Sequence, residues 1–369
     1  MKGFILLQCL FLVTLQILAQ TKTVLIQGAV NDTTIKNIEL THPVDNKLFK
    51  WEKTKLNVTN DSFKTTIQIP CPIPLAIAYG DKNYTTNYVY ANTKFLIDTG
   101  SNLHVIGSSM QDEYEKEFLP FFRKNDQFYD TLENFYRRSN RKYDRDWPQL
   151  IHDSANYYFE KYYHQRVGLL RVYIESHPNS YVALWDIYYY LTMGVKQKYF
   201  NFEKLFSTFS SRMQHQPLML LMKEKLKESS RLEVGKEFPQ DFFIGHEQMQ
   251  RQIRENKQYY LIDFWYSHCG PCIAGFPRLK EIYNQFYSKG FDIVSISVDK
   301  QKDIADYSRQ IKENKLQWNH IWDKDGATSY RFSISTFPTY ILVDKNGQLV
   351  KFYNSSQLDQ LEDFLNKNL

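Results

Sequence analysis

Cysteine is scarce in this chain, with four residues among 369. A small secreted scaffold held together by disulfides needs a far higher density, so the fold must rest on its apolar core. Glycine (14) and proline (12) are also few, well under their usual joint share of about 12%. That excludes long low-complexity linkers and collagen-like repeats. Neither sign of charge dominates: 46 Lys and Arg stand against 41 Asp and Glu. A net charge of +5 is too weak at this length to imply a nucleic-acid partner. Beyond the first residues, no apolar run approaches the ~20 residues needed to span a bilayer. Only one close cysteine pair occurs, and neither a second pair nor paired histidines follow it. A zinc site would therefore be two ligands short, and no metal is expected.

What the sequence does have is apolar and aromatic bulk: 43% hydrophobic residues, including 27 Tyr and 26 Phe. At about 150 residues per domain, the length predicts two or three domains. Residues 1–19 have the order of a secretory signal peptide, with Lys2, an apolar run from Phe4 to Leu18, then Ala19. Export follows as the expectation, to a periplasm or cell envelope. An uncleaved membrane anchor is the second reading. Cys9 lies within the apolar run, which leaves Cys71, Cys269 and Cys272 in the exported chain.

Three regions follow. Residues 20–110 alternate short β-rich runs with turn residues: Val24 to Val30, Asn37 to Thr41, Lys55 to Val58, Phe63 to Ile69, Leu75 to Tyr79 and Lys94 to Ile97. They predict a small antiparallel β domain. In residues 111–230 apolar side chains recur at helical spacing, as in Phe118, Phe121 and Phe122, then Tyr158, Tyr162, Val167 and Leu170. Pro148, Pro178 and Pro217 punctuate these helices. Residues 231–369 alternate apolar strands with amphipathic helices and end in an Asn346-Gly347 hairpin and a last helix, an α/β layered plan.

The chemistry lies in Leu261-Ile262-Asp263-Phe264-Trp265-Tyr266-Ser267-His268-Cys269-Gly270-Pro271-Cys272, a buried strand running into Cys-x-x-Cys at the mouth of a helix. Unpaired N–H groups and the positive end of the helix dipole favour thiolate at Cys269, making it the nucleophile. Cys272, one turn on, can attack a mixed disulfide on Cys269 and is the resolving thiol. His268, if protonated, would favour the thiolate further; an exposed histidine over the site is the alternative.

On these residues the last third of the chain resembles the TlpA-type thioredoxin-fold proteins, thiol-disulfide oxidoreductases of bacterial extracytoplasmic spaces. Val234-Gly235-Lys236, Phe238-Pro239, Asp263-Phe264-Trp265, Phe276-Pro277 and Phe337-Pro338-Thr339 also carry the resemblance. It implies a thioredoxin-like α/β domain behind an accessory N-terminal region. Pro338 would be cis and lie against the sulfurs, letting the backbone of Phe337 meet a client. Asp263 would manage a proton near Cys272, against the plainer reading of a hydrogen-bonded strand residue. Trp265, His268, Gly270 and Pro271 would complete the client-binding surface. No cofactor is implied. Partners would be disulfide-containing exported proteins, such as apocytochrome c, and an upstream thiol electron donor. Gly-Pro between the cysteines matches reducing members. Two departures stand out: His268 in place of the usual Trp, and Gly275 where many members carry Glu.

Two other readings share the fold or the length. A peroxiredoxin-like peroxidase would need Pro and Thr or Ser ahead of Cys269, where Ile262 and Tyr266 stand instead. An envelope binding or scaffold protein would use the front two thirds and keep the cysteine pair for a local role. Phe95-Leu96-Ile97-Asp98-Thr99-Gly100-Ser101 looks like an aspartic-protease turn, but no second copy occurs, and a strand ending in an Asp-x-Gly turn explains it. Arg137, Arg138, Arg141, Lys142 and Arg145, interrupted by Asp144 and Asp146, are read as a solvated helical face. Cys71, between two prolines, is read as a small buried hydrophobe.

Overall fold

A computed structural model describes residues 22–43, 51–69, 71–79, 82–89, 94–97, 103–143, 148–192, 200–247 and 257–369. The leader at 1–19, Asp98 to Ser101 and Arg145 lie outside the described residues. No described helix is long and apolar enough to cross a membrane. The chain divides into two compact units, the first running to Leu191 and continuing from Val195 to Met222, the second from Lys223 to Leu369 with residues 192–194.

The first unit opens with eight strands: β1 (Lys22–Val30), β2 (Asn37–Pro43), β3 (Trp51–Asn57), β4 (Ser62–Ile69), β5 (Ile73–Tyr79), β6 (Lys82–Val89), β7 (Lys94–Ile97) and β8 (Leu103–Ile106). They form two four-stranded sheets, ordered β4-β1-β7-β8 and β3-β2-β5-β6. In β5 every second side chain is buried, the signature of a sheet with one covered face. All pairings but one are antiparallel, as expected. The exception is β1 with β7, which run parallel; strands this far apart in sequence have the long connection that parallel pairing requires. β6, Lys-Asn-Tyr-Thr-Thr-Asn-Tyr-Val, was invisible to a search for apolar alternation and is defined by its pairing with β5.

Helices follow in the same unit: α1 (Leu119–Tyr143), α2 (Gln149–Ser176), α3 (Tyr181–Thr192), α4 (Phe202–Thr208) and α5 (Pro217–Ser229), the last crossing into the second unit. Pro148 precedes α2 and Pro217 starts α5, where a missing N–H costs nothing. Phe118, Phe122, Tyr162 and Leu170 are buried, whereas Phe121 and Tyr158 face solvent at 41% and 43% exposure. Arg166 is buried between α1 and α3, its charge met by Asp126 and Asp186, each at 2.7 Å, with Phe122 beneath the guanidinium. Arg137 pairs with Glu133 one turn earlier, consistent with a solvated face. Cys71 is buried with a free thiol, and burial pushes its pKa up to about 12.

The second unit is built on β9 (Tyr259–Trp265), α6 (Gly270–Phe286), β10 (Phe291–Ser297), α7 (Ile304–Glu313), β11 (Asn319–Trp322), β12 (Thr339–Asp344), β13 (Leu349–Tyr353) and α8 (Leu358–Asn368). Its five-stranded sheet has the order β11-β10-β9-β12-β13. β9, β10 and β11 run parallel, with α6 and α7 as crossovers; β12 and β13 return antiparallel. Both faces are covered, so β9 and β10 are buried almost throughout. Leu261, Trp265, Ile293 and Leu342 pack with α6 and α8 on one face; Ile262, Phe264, Ile296 and Ile341 pack with Phe238 and Phe242 on the other.

Candidate active site

Cys269 caps α6. Its extended backbone (φ −81°, ψ 96°) stops the strand connection, and its carbonyl accepts the first helical bond from the Ile273 N–H at 3.0 Å. Gly270 and Pro271 fill the first turn, where proline loses no hydrogen bond. The Cys269 sulfur accepts from the backbone N–H of Cys272 at 3.2 Å, the contact that would stabilise a thiolate there. The two sulfurs are joined as a disulfide, and only 2% and 1% of these residues is exposed. Gly270 and Pro271 lie on the surface, so an incoming partner meets this dipeptide before either sulfur.

On the sheet that α6 covers, Asp263 points from β9 to the same face as Leu261 and Trp265. It is buried, its Oδ2 accepts from the Ser295 hydroxyl at 2.6 Å, and its Oδ1 has no partner among the described residues. Desolvation pushes its pKa from 3.8 up to about 7, with the Ser295 bond pulling the other way. Ser295 in turn accepts from the Trp318 indole N–H at 2.7 Å. This buried carboxyl, its pKa raised by desolvation, thus shares the face of β9 that carries Leu261 and Trp265, both of which pack in one cluster with the two cysteines.

The Phe337–Pro338 peptide is cis. Pro338 is buried, and Phe337, half-buried, packs edge-on against Tyr266 at 5.5 Å. Trp265 is not at the surface: wholly buried, its ring meets Phe276 at 5.2 Å and Tyr307 at 5.8 Å behind the helix. The reason is that both faces of β9 are covered, so its last residue is buried whichever way it points; parity puts Trp265 on the face of Leu261 and Asp263, beneath α6. His268 is exposed, with Nε2 3.2 Å from Asp306 and 3.8 Å from Asp303.

Sequence reasoning missed the residue that holds the loop. Buried Asp299, just past β10, accepts from the Ser267 backbone N–H, from the Ser267 hydroxyl at 2.6 Å and from the Ser297 hydroxyl at 2.6 Å. The signal was present: three polar residues, Ser295, Ser297 and Asp299, recur at alternate positions between apolar Ile296 and Val298 at the end of β10 and just past it. Replacing Asp299 with Asn exchanges a carboxylate acceptor for an amide that cannot satisfy all three donors. The expected cost is about 2–4 kcal/mol, since hydrogen bonds to charged groups contribute roughly 1.5–3 kcal/mol each. Denaturation of the full chain by urea measures it; an unchanged midpoint would mean that the clamp contributes nothing.

Residues 256–349 match the family model described as thioredoxin-like. Thiol-disulfide oxidoreductase ResA of Bacillus thuringiensis is 28% identical over 139 residues, covering 37% of this chain and 79% of that protein. The ResA of Oceanobacillus iheyensis is 30% identical over 107 residues, which are 29% of this chain and 55% of that one. Among solved structures, the thioredoxin domain of a thiol-disulfide oxidoreductase from Bacteroides vulgatus is 30% identical, with a TM-score of 0.28, covering 31% of this chain and 83% of that one. The family-model match, residues 256–349, includes Cys269 and Cys272.

Proposed function

We infer that this chain, whose C-terminal region is a thioredoxin-like domain related to the ResA thiol-disulfide oxidoreductases, reduces disulfides of exported proteins outside the cytoplasm. The observation that carries the reading is the Cys269–Cys272 disulfide at the start of a helix, in a domain whose adjoining strand carries the buried carboxyl of Asp263.

The geometry supports the following sequence of steps. In the dithiol form, Cys269 is the thiolate, favoured by the Cys272 N–H and the helix terminus. It attacks one sulfur of a client disulfide; a Cys269–client bond forms and the first client thiolate leaves. Cys272 then gives its proton to ionised Asp263 and attacks Sγ of Cys269, which expels the second client thiolate and closes the intramolecular disulfide. Two electrons pass to the client, and an upstream dithiol must return them. Pro338 and Phe337 would offer the surface for client backbone, Phe337 packing against the cluster that holds both cysteines, with Gly270, Pro271 and His268 exposed. The direction follows from the Gly-Pro dipeptide, and the apolar leader at residues 1–19 supports an extracytoplasmic setting. Clients such as apocytochromes c fit this setting.

The test is the equilibrium reduction potential of the pair, read by alkylation and mass across dithiothreitol and glutathione buffers. A value near about −270 mV agrees with a reductase, whereas one near about −120 mV means an oxidase. A pair that never closes its disulfide would overturn the redox reading.

A further inference from the structure

Strand register lines up five polar side chains in one row across the whole sheet of the second unit. Tyr353 on β13 stands opposite Tyr340 on β12, Tyr340 opposite Asp263 on β9, Asp263 opposite Ser295 on β10, and Ser295 opposite His320 on β11. Directly paired residues point to the same face, here the face beneath α6. Tyr340 is wholly buried in the apolar cluster that contains Cys269 and Cys272. Its hydroxyl lacks a hydrogen-bond partner among the described residues, and so does Oδ1 of its neighbour Asp263. One is a donor without an acceptor, the other an acceptor without a donor.

Gly275 gives this hydroxyl its room. It lies one turn beyond Cys272 on α6, and a Cβ placed there would come within 3.1 Å of the Tyr340 oxygen. The phenol tip therefore occupies the space that a side chain at position 275 would claim, between the cysteine helix and the carboxyl.

We propose that Tyr340 is a positioning residue for the proton chemistry of Asp263, its hydroxyl donating to the free carboxylate oxygen whenever Asp263 is ionised. Asp263 would then be held from both sides, by Ser295 on one oxygen and Tyr340 on the other, at the moment it must receive the Cys272 proton. Tyr340 keeps its own proton throughout. The S–H bond of Cys272 breaks, its proton goes to Asp263, and its electron pair forms the bond to Cys269 while the client thiolate departs. Burial and the Asp263 charge both hold the phenol well above its ordinary range, so it stays a donor.

The other titratable groups bordering this pair compete little. His320 is pushed down to about 4 by burial and stays neutral. Tyr353 and Tyr283 are each pushed up to about 12, as is Tyr307. The residues of α8 in the cluster, Leu358, Leu361 and Leu365, bring no charge. Cys269 and Cys272 belong to the same cluster, and Tyr259 and Tyr266 pack against it.

The consequence in turnover rests on the redox reading above, but the coupling of Tyr340 to Asp263 does not. In the oxidised full-length protein, carbon-13 NMR titration of the Asp263 carboxyl in the Tyr340→Phe variant should show a midpoint about one pH unit higher, a roughly tenfold loss of ionised form below it. In single turnovers of the reduced protein with oxidised glutathione, the resolving step should slow by about tenfold below that midpoint and approach the parent rate in alkali. Gly275→Ala crowds the hydroxyl, and any shift it produces should vanish when combined with Tyr340→Phe. An unmoved midpoint in Tyr340→Phe, or an equal Gly275→Ala shift in both backgrounds, overturns the proposal. Should Tyr340→Phe fail to fold, Gly275→Ala alone carries the titration, and an unmoved midpoint there overturns it equally. A shifted midpoint in a protein whose cysteines never cycle would instead refute the redox reading and leave the coupling intact.

Discussion

Replacing Cys269 with Ser should lower disulfide-reducing turnover by at least about a thousandfold, while Cys272→Ser should leave the first attack intact and accumulate a covalent adduct between Cys269 and its client. The asymmetry follows from the position of the two residues on α6. Cys269 holds the cap, where the Cys272 N–H reaches its sulfur at 3.2 Å, whereas Cys272 sits inside the first turn; both are buried, so the difference lies in the cap contact and not in exposure. Oxygen at position 269 would keep the cap contact, since serine is a preferred N-cap residue. The loss would therefore report chemistry rather than unfolding. Non-reducing gel shift and mass analysis of Cys272→Ser with an oxidised substrate protein reads out the adduct. Equal adduct formation by Cys269→Ser would show the assignment of the two roles to be reversed.

The second large effect belongs to Asp263 and has opposite signs for stability and for rate. Its carboxyl binds a proton more tightly in the folded chain, with the pKa raised from 3.8 to about 7 by burial. Stability is fully present below the unfolded value and is lost as pH rises through the folded one. At pH 8 the buried charge costs up to about 4 kcal/mol, at 1.36 kcal/mol per pKa unit. Asp263→Asn should accordingly stabilise the second unit by about 2–4 kcal/mol at pH 8, and by much less below pH 4. The same substitution removes the acceptor for the Cys272 proton, so resolution should fall by about 10²–10⁴-fold. Urea denaturation at the two pH values and single-turnover kinetics check both halves. A gain in stability equal at both pH values would show that the carboxyl's charge is not its source.

The local part of this site could be read from the chain. Cys269, Cys272 and Asp263 lie within ten residues, so a strand, a loop and a helix start bring them together whatever the rest does. Pro338 is 66 residues beyond Cys272 and was found through family resemblance, not spacing. Ser295, Tyr340 and Asp299 were not found at all. Ser295 and Tyr340 reach the site by inter-strand register, and Asp299 by the loop contact that follows β10, properties that spacing along a chain does not contain. Trp265 shows the same limit from the other side: it borders the motif in sequence, yet it ends a strand covered on both faces and lies in the core. In the first unit, apolar alternation located β1, β4, β5 and β7 but not β6, whose polar sequence leaves it to be defined by its partner strand.

The clamp on Ser267 separates the anchoring of the loop from the state of the sulfurs. Asp299 ties the loop before Cys269 to the end of β10 through bonds that involve neither sulfur. Opening the disulfide breaks none of these bonds, so what fixes the entry to the helix and what carries the chemistry are two different sets of atoms.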